Sequence, residues 1–148
     1  MIRKQVLRIL DANFNRSREG LRVCEEIARF VMDDRKLTAR LKRARHDVTD
    51  CLKKFPGPLS ELLGSRDVRG DVGKEPSGLE KSRSGTLGLF SANIERAKES
   101  LRALEEASKL VEGNLSGHFK KIRFKTYAIE KEAVPKLEAL RDHKRNRG

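Results

Sequence analysis

An asparagine followed three residues later by an arginine occurs twice in this chain, at Asn13/Arg16 and again at Asn93/Arg96, 80 residues on. A carboxamide can read the edge of a heterocycle. The planar guanidinium fork matches the oxygens of phosphate or carboxylate. The two pairs lie inside a longer repeated phrase. Arg8 to Val31 reads RILDANFNRSREGLRVCEEIARFV, and Gly88 to Val111 reads GLFSANIERAKESLRALEEASKLV. Nine of the 24 aligned positions are identical, giving AN-x-x-R-x-x-E-x-LR-x-x-EE. Helical propensity alone would not write that pattern twice. It marks a duplicated helix, with polar residues that packing does not require.

Further candidates surround these pairs. Arg45 and Arg123 are equivalent under the repeat and bring the paired arginines to four, a set suited to a ligand with more than one phosphate. His46 follows Arg45 and reads either as a ligand contact or as a packing residue. The segment Arg66-Asp67-Val68-Arg69-Gly70-Asp71-Val72-Gly73 offers two glycines for close backbone approach to phosphates. It also holds two aspartates for a hard cation such as Mg²⁺ and two arginines to neutralise a transferring phosphoryl group. It is no Walker motif, because Gly73-Lys74 is followed by Glu75. On composition alone it is equally a surface loop. His118 and His143 have no company that suggests metal ligation. Each repeated letter also has a plain structural reading. The asparagines could tie a helix to a neighbour's backbone, and Arg16 and Arg96 could pair with Glu19 or Glu99. Arg22, Glu25, Glu26 and their counterparts, spaced i, i+3 and i+4 and mostly opposite the apolar stripe, could support an exposed helix face. Their repetition is also compatible with burial in a wider bundle or a homodimer.

The elements that must carry these residues are helical. Val6, Ile9, Leu10, Ser17, Gly20, Leu21, Cys24, Ile27, Ala28 and Val31 share one stripe at 100° per residue, which predicts a helix from about Val6 to Val31. Asn13 and Asn93 fall at the centre of their stripes and Arg16 and Arg96 at the edge, so equivalent amides are expected to converge at a pseudo-two-fold axis. A second helix is predicted from about Thr38 to Lys54, broken by Pro56-Gly57-Pro58, with a short helical turn over 59–64. Residues 65–85 read as a polar loop longer than most in compact domains. A third helix follows from about Leu87 to Val111. A fourth starts near Ser116, carrying Phe119, Ile122, Phe124, Tyr127, Ile129 and Val134, with Pro135 expected to kink or divide it. LTARLKRAR (37–45) aligns with LSGHFKKIR (115–123), so the repeated unit is a hairpin. The expected architecture is all-α: one domain over 1–148, a bundle of two duplicated hairpins (about 6–54 and 87–134) joined by a polar loop, then a basic tail over 140–148.

The formal net charge of +12 in 148 residues raises nucleic acid as a partner. Residues 1–10 and 136–148 each supply +3 of it. With one Tyr, six Phe and no Trp, stacking surfaces for bases are scarce, and nucleic acid is disfavoured. No run approaches the roughly 18 apolar residues of a membrane span, and the N-terminus has no signal-peptide pattern. Cys24 and Cys51 stand in no metal or redox spacing and read as buried reduced thiols. A cytoplasmic protein is expected.

In their order along the chain, DANFNRSREGLRVCEEIARFV, LKRARHD, SRDVRGDVG, SANIERAKESLRALEEASKL and IRFKTYAIEK resemble one family over roughly residues 6–132. It is the monofunctional hydroxymethylpyrimidine phosphate kinase family, a helical domain found alone or fused to the N-terminus of thiamine-phosphate synthase. The resemblance implies phosphoryl transfer from ATP, with Mg²⁺, to 4-amino-5-hydroxymethyl-2-methylpyrimidine phosphate, giving the pyrophosphate. No synthase barrel follows Gly148, so synthase activity itself is not expected. On this reading Arg16, Arg96, Arg45 and Arg123 bind phosphate oxygens, with Arg66 and Asp67 also at the reacting group. Asp67 and Asp71 place the metal, and Asn13 and Asn93 read the pyrimidine or a phosphate edge. His46, Arg69, Gly70 and Gly73 complete the phosphate-binding set, and the loop closes over the nucleotide. Two rivals stand beside it: a non-catalytic pyrimidine-phosphate-binding or partner domain for thiamine-phosphate synthase, and a helical nucleic-acid-binding protein.

Overall fold

The chain folds as helices throughout the residues described by the computed structural model, 2–74 and 83–146. Five α-helices follow one another: α1 (Ile2–Phe30), α2 (Arg35–Lys54), α3 (Leu59–Gly64), α4 (Gly85–Ser108) and α5 (Ser116–Asn146), with a 3₁₀ turn at Gly113–Leu115 before the last. Packing of α1 on α2, α4 on α5, α1 on α4 and α2 on α5 closes a four-helix bundle. The short α3 rests on α1, burying Leu62. The expected all-α bundle of two duplicated hairpins is the observed architecture.

Each hairpin turns by local chemistry. After α1, Asp33 takes a left-handed conformation (φ +50°), and the Asp34 amide donates back to the Ala28 carbonyl. The Asp34 carboxylate then accepts from the Leu37 amide at 2.9 Å, capping α2. Its other oxygen meets Lys136 of α5 at 2.8 Å, so one side chain starts α2 and fastens it to the opposite helix. Leu37, Leu41, Ala44, Val48 and Cys51 then form the buried stripe of α2.

Two expectations need correction. Ile9 and Val31 belong to the expected core stripe but are 48% and 40% exposed; α1 turns Ile9 toward the loop side. Phe124 and Tyr127 are exposed as well. The buried residues of α5 are Phe119, Ile122, Thr126, Ile129, Ala133 and Leu137, and Phe124 sits about 140° around the helix from Phe119 at 100° per residue. Pro135 does not divide α5, since the helix runs on to Asn146. Both Pro135 and Lys131, whose carbonyl loses its partner, lie on the exposed side, where water can satisfy that oxygen. The basic segment from residue 140 is accordingly the end of α5, with 147–148 outside the described residues. Residues 75–82 of the expected long loop also lie outside them.

The seam between α1 and α4 is very close. A Cβ at Gly20 would stand 2.7 Å from the Asn93 carbonyl oxygen and 3.4 Å from the Ala97 nitrogen. Four residues further along α1, the Cys24 thiol donates to the Phe90 carbonyl at 3.6 Å. Advancing on α1 therefore means retreating on α4, and the helices are antiparallel. With a repeat offset of 80, equivalent residues come level only around Ser17 and Ala97, both fully buried. The pseudo-two-fold axis passes there. Cys24 and Cys51 are buried free thiols, as expected. Burial pushes the Cys51 thiol up to about 11.

Gly20→Ala should therefore destabilise the fold by about 1–3 kcal/mol, because backbone rather than a flexible side chain must move. Urea denaturation checks this, and a neutral result would mean the seam is looser than described. A second outcome concerns Asp34, whose carboxyl is held below its ordinary value by the Leu37 amide, then by Lys136. The stability it contributes is present above the ordinary carboxylate range of about 4 and is lost as pH falls below it. Asp34→Ala should cost about 1 kcal/mol at neutral pH and flatten that part of the acid limb in a pH-dependent melting series.

Candidate functional site

The repeated letters divide into those that hold the hairpins together and those that do not. Glu25 and Glu105 are each only 5% exposed, so of the two readings of the repeated carboxylates these two follow burial rather than an open helix face. Arg45 Nε donates to Glu25 at 3.1 Å, and Arg123 Nε donates to Glu105 at 2.8 Å. Arg22 and Arg102 close on the same carboxylates at 3.4 and 3.3 Å and on Glu26 and Glu106 at 2.9 and 3.2 Å. The LR-x-x-EE phrase is thus a latch, written once for α1–α2 and once for α4–α5. Burying these carboxylates is tolerable because each finds guanidinium donors. Arg45 and Arg123, expected as phosphate ligands, are engaged in this latch. Neither lines the cavities described below, and Arg123 also lies over the Phe124 and Tyr127 rings. His46 is exposed on α2, lines neither cavity, and makes no hydrogen bond to a described residue.

Arg16 and Arg96 behave differently. Both are exposed, and neither makes a hydrogen bond or ion pair with another described residue, including Glu19 and Glu99. Each precedes an axis residue, Ser17 or Ala97. In an antiparallel pair this leaves them about 3 Å apart in height at 1.5 Å per residue, on either side of the seam. Asn13 and Asn93 lie one turn further out and do not converge as expected. Their amides donate to the Ile9 and Leu89 carbonyls, each at 2.8 Å, and they line separate cavities.

The first cavity, about 540 Å³, joins the outer face of α1 to the loop after α3. Ile9, Ala12, Asn13 and Arg16 face Asp67, Val68, Asp71 and Lys74 across it, with Gln5 and Arg8 at one end. The loop is pinned by Asp11, a buried carboxylate that Arg66 grips with two hydrogen bonds of 2.7 Å each. The bond to Asp11 raises the Arg66 pKa further, so the guanidinium stays charged. Beyond it, the Gly70 amide donates to Asp67 at 2.8 Å and the Gly73 amide to Asp71 at 2.9 Å. A Cβ on Gly70 would meet the Asp67 carboxylate, which would have to swing aside. Arg69, Gly70 and Gly73 build the loop and do not line the cavity; the Arg69 carbonyl accepts from Lys74 at 2.9 Å. Each aspartate keeps a second carboxylate oxygen for a cation. Among the described residues no three His, Cys, Asp or Glu side chains gather into a metal site.

The second cavity, also about 540 Å³, is built around the equivalent Ala92, Asn93 and Arg96, with Val23, Arg83, Glu95 and both copies of the repeated glutamate, Glu19 and Glu99. Sequence reasoning missed Asp11, Arg8 and Lys74 as members of the first cavity, and the glutamates as members of the second. The one available signal was divergence within the repeat, since Asp11 aligns with Ser91.

A family model, the ThiD2 family, matches residues 8–132. The chain belongs to the ThiD2 family. All residues of the two arginine–asparagine pairs and of the Arg66–Gly73 loop fall within the ThiD2 match. The chain is also similar to proteins named thiamine-phosphate synthase. That of Rhodopirellula baltica is 40% identical over 138 residues, covering 93% of this chain and 36% of the relative. That of Nostoc punctiforme is 39% identical over 130 residues, covering 87% and 35%. That of Synechocystis sp. is 36% identical over 126 residues, covering 84% and 35%. The chain thus spans about a third of the length of these relatives. No solved structure matches. No helix among the described residues is long and apolar enough to cross a membrane.

Arg66→Ala strands the buried Asp11 carboxylate and should cost about 1–3 kcal/mol. The Asp11→Ala/Arg66→Ala double variant should cost less than the sum of the singles. The check is a double-mutant cycle by urea denaturation, with an interaction energy of about 1 kcal/mol or more expected. Additive singles would mean the pair does not hold the loop.

Proposed function

We propose that this ThiD2-family chain is a phosphotransferase of thiamine biosynthesis, transferring the γ-phosphoryl group of ATP to 4-amino-5-hydroxymethyl-2-methylpyrimidine phosphate to form the pyrophosphate. The single observation that supports it best is the unequal treatment of the repeated arginines. Arg22, Arg45, Arg102 and Arg123 are joined to carboxylates, while Arg16 and Arg96 make no ion pair with a described residue and lie at the rims of two cavities. Two uncompensated guanidinium groups flanking one seam would repel each other in the free protein and favour a multiply charged anion between them.

In this reading an oxygen of the acceptor phosphate attacks the γ-phosphorus. The bond from that phosphorus to the β,γ-bridging oxygen breaks, and ADP leaves with the electron pair. The attacking oxygen is already ionised at neutral pH, so no strong general base is required. The residues' task is positioning and charge neutralisation. Arg16 and Arg96 would hold the phosphate oxygens in line from opposite sides of the seam, and the Asp11–Arg66 clasp would keep residues 66–74 against the nucleotide, limiting water. Asp67 and Asp71 suit Mg²⁺, which commonly takes one or two carboxylates and completes its shell with phosphates and water; the ion would neutralise phosphate charge. The relatives' name makes thiamine-phosphate synthase the partner this reading points to.

The protein incubated with ATP, Mg²⁺ and the pyrimidine monophosphate should yield the pyrophosphate and ADP, followed by ³¹P NMR. Arg16→Ala and Arg96→Ala should each lower kcat/KM by roughly 10²–10³, the scale of losing one transition-state donor, with helix content by circular dichroism unchanged. Absence of product from correctly folded protein that still binds the pyrimidine phosphate would favour the non-catalytic binding domain instead.

A further inference from the structure

The two cavities are equivalent by the repeat but not in charge. Both copies of the duplicated glutamate, Glu19 and Glu99, line the second cavity, and neither lines the first. Both are exposed and make no ion pair with a described residue, so their carboxylates are free to accept. Glu95, the third acid there, is already paired with Lys98. The loop-side cavity carries Arg8, Arg16, Arg66 and Lys74 against Asp11, Asp67 and Asp71, and Arg66 and Asp11 neutralise each other. A triphosphate chain placed in the second cavity would face Glu19 and Glu99, two carboxylates without an ion pair to a described residue, with Arg83 and Arg96 as the cations of that cavity. In the loop-side cavity it would meet cations, with two aspartates left for its counter-ion.

Resting on the phosphotransferase reading, we infer that the two cavities divide the substrates: the nucleotide triphosphate lies in the loop-side cavity and the aminopyrimidine monophosphate in the second. An aminopyrimidine offers exocyclic N–H donors, and ionised carboxylates are acceptor-only groups. Glu19 and Glu99 therefore match the base, while Val23 and Ala92 supply apolar surface for its ring. Asn93, whose amide nitrogen is occupied by the Leu89 carbonyl, keeps its oxygen as an acceptor. The acceptor's phosphate then points toward Arg96, and the γ-phosphoryl toward Arg16, across the seam where these two arginines lie almost level. The duplication would thus have supplied two like half-sites, with the retained glutamates and the unrepeated loop setting their polarity.

Calorimetric titration of the full chain tests this with three probes: the pyrimidine monophosphate, a non-hydrolysable ATP analogue with Mg²⁺, and inorganic tripolyphosphate. Glu19→Gln/Glu99→Gln should weaken the monophosphate by about tenfold or more, a loss of about 1.4 kcal/mol, and leave the ATP analogue and tripolyphosphate within about twofold. Arg8→Ala/Lys74→Ala should do the reverse. The opposite pattern, or equal losses for both ligand classes in both variants, overturns the assignment. Product formation by the wild type alongside such a pattern would leave the phosphotransferase reading standing while the assignment falls. A wild type that forms no product but shows the expected split in binding would keep the assignment of cavities to ligands and remove the catalytic reading. A wild type that binds none of the probes removes both.

Discussion

The close antiparallel approach of α1 and α4 is the constraint on which the rest of the molecule depends. Its tightest point is Gly20, where any side chain would meet the backbone of Asn93. Helices packed that closely cannot slide without remaking the contact, so the seam determines which residues of the two repeats come level. Those are Ser17 and Ala97, small and fully buried. Because Arg16 and Arg96 each sit one residue before them, the same register brings two unpaired cations to the middle of one face. A one-turn slip would shift one arginine by about 5.4 Å along the pair and separate the cavities by a different distance. The polar site is in this sense a consequence of a packing contact between backbones.

The latches at Glu25–Arg45 and Glu105–Arg123 perform the complementary task within each hairpin. A buried carboxylate is costly unless its oxygens are met, and here each is met from its own helix and from the next. Such pairs add less to net stability than their count suggests, but they disfavour hairpin registers in which the carboxylate would be stranded. Asp11 and Arg66 repeat the device in a different place, tying a loop to α1. Three ion-pair clusters therefore set the relations between α1 and α2, between α4 and α5, and between α1 and the segment that walls the first cavity. Of the repeated charged residues, Arg16, Arg96, Glu19 and Glu99 make no ion pair with a described residue, and they lie along the outer side of the seam.

Much of this architecture was legible without coordinates. The 100° stripe predicted α1, α2 and α4 to within a few residues at most ends, and the second alignment, 37–45 on 115–123, identified the repeating unit as a hairpin. The misplacements share a cause. Ile9 and Val31 are apolar, and an apolar residue within the stripe is assigned inward when no neighbour is known; in the fold both are exposed, and a loop takes the place beside Ile9. Pro135 read as an interruption because its missing amide was weighed without knowing that both it and the Lys131 carbonyl face solvent.

The sequence by itself determined the helical hairpin and its duplication, because periodicity and identity are properties of the chain. It also singled out the amides, guanidiniums and loop that a phosphate-handling site would use. Only the tertiary structure decided how the repeated polar letters divide. Arg16 and Arg45 look alike in sequence, two arginines each matched in the second repeat, yet one is latched to a buried carboxylate and the other is not. That difference rests on which carboxylate of another helix comes within about 3 Å, a relation across 20 residues that no local pattern encodes. The same holds for the two cavities: sequence made them equal, and the approach of α1 to α4 gave both glutamates to one of them.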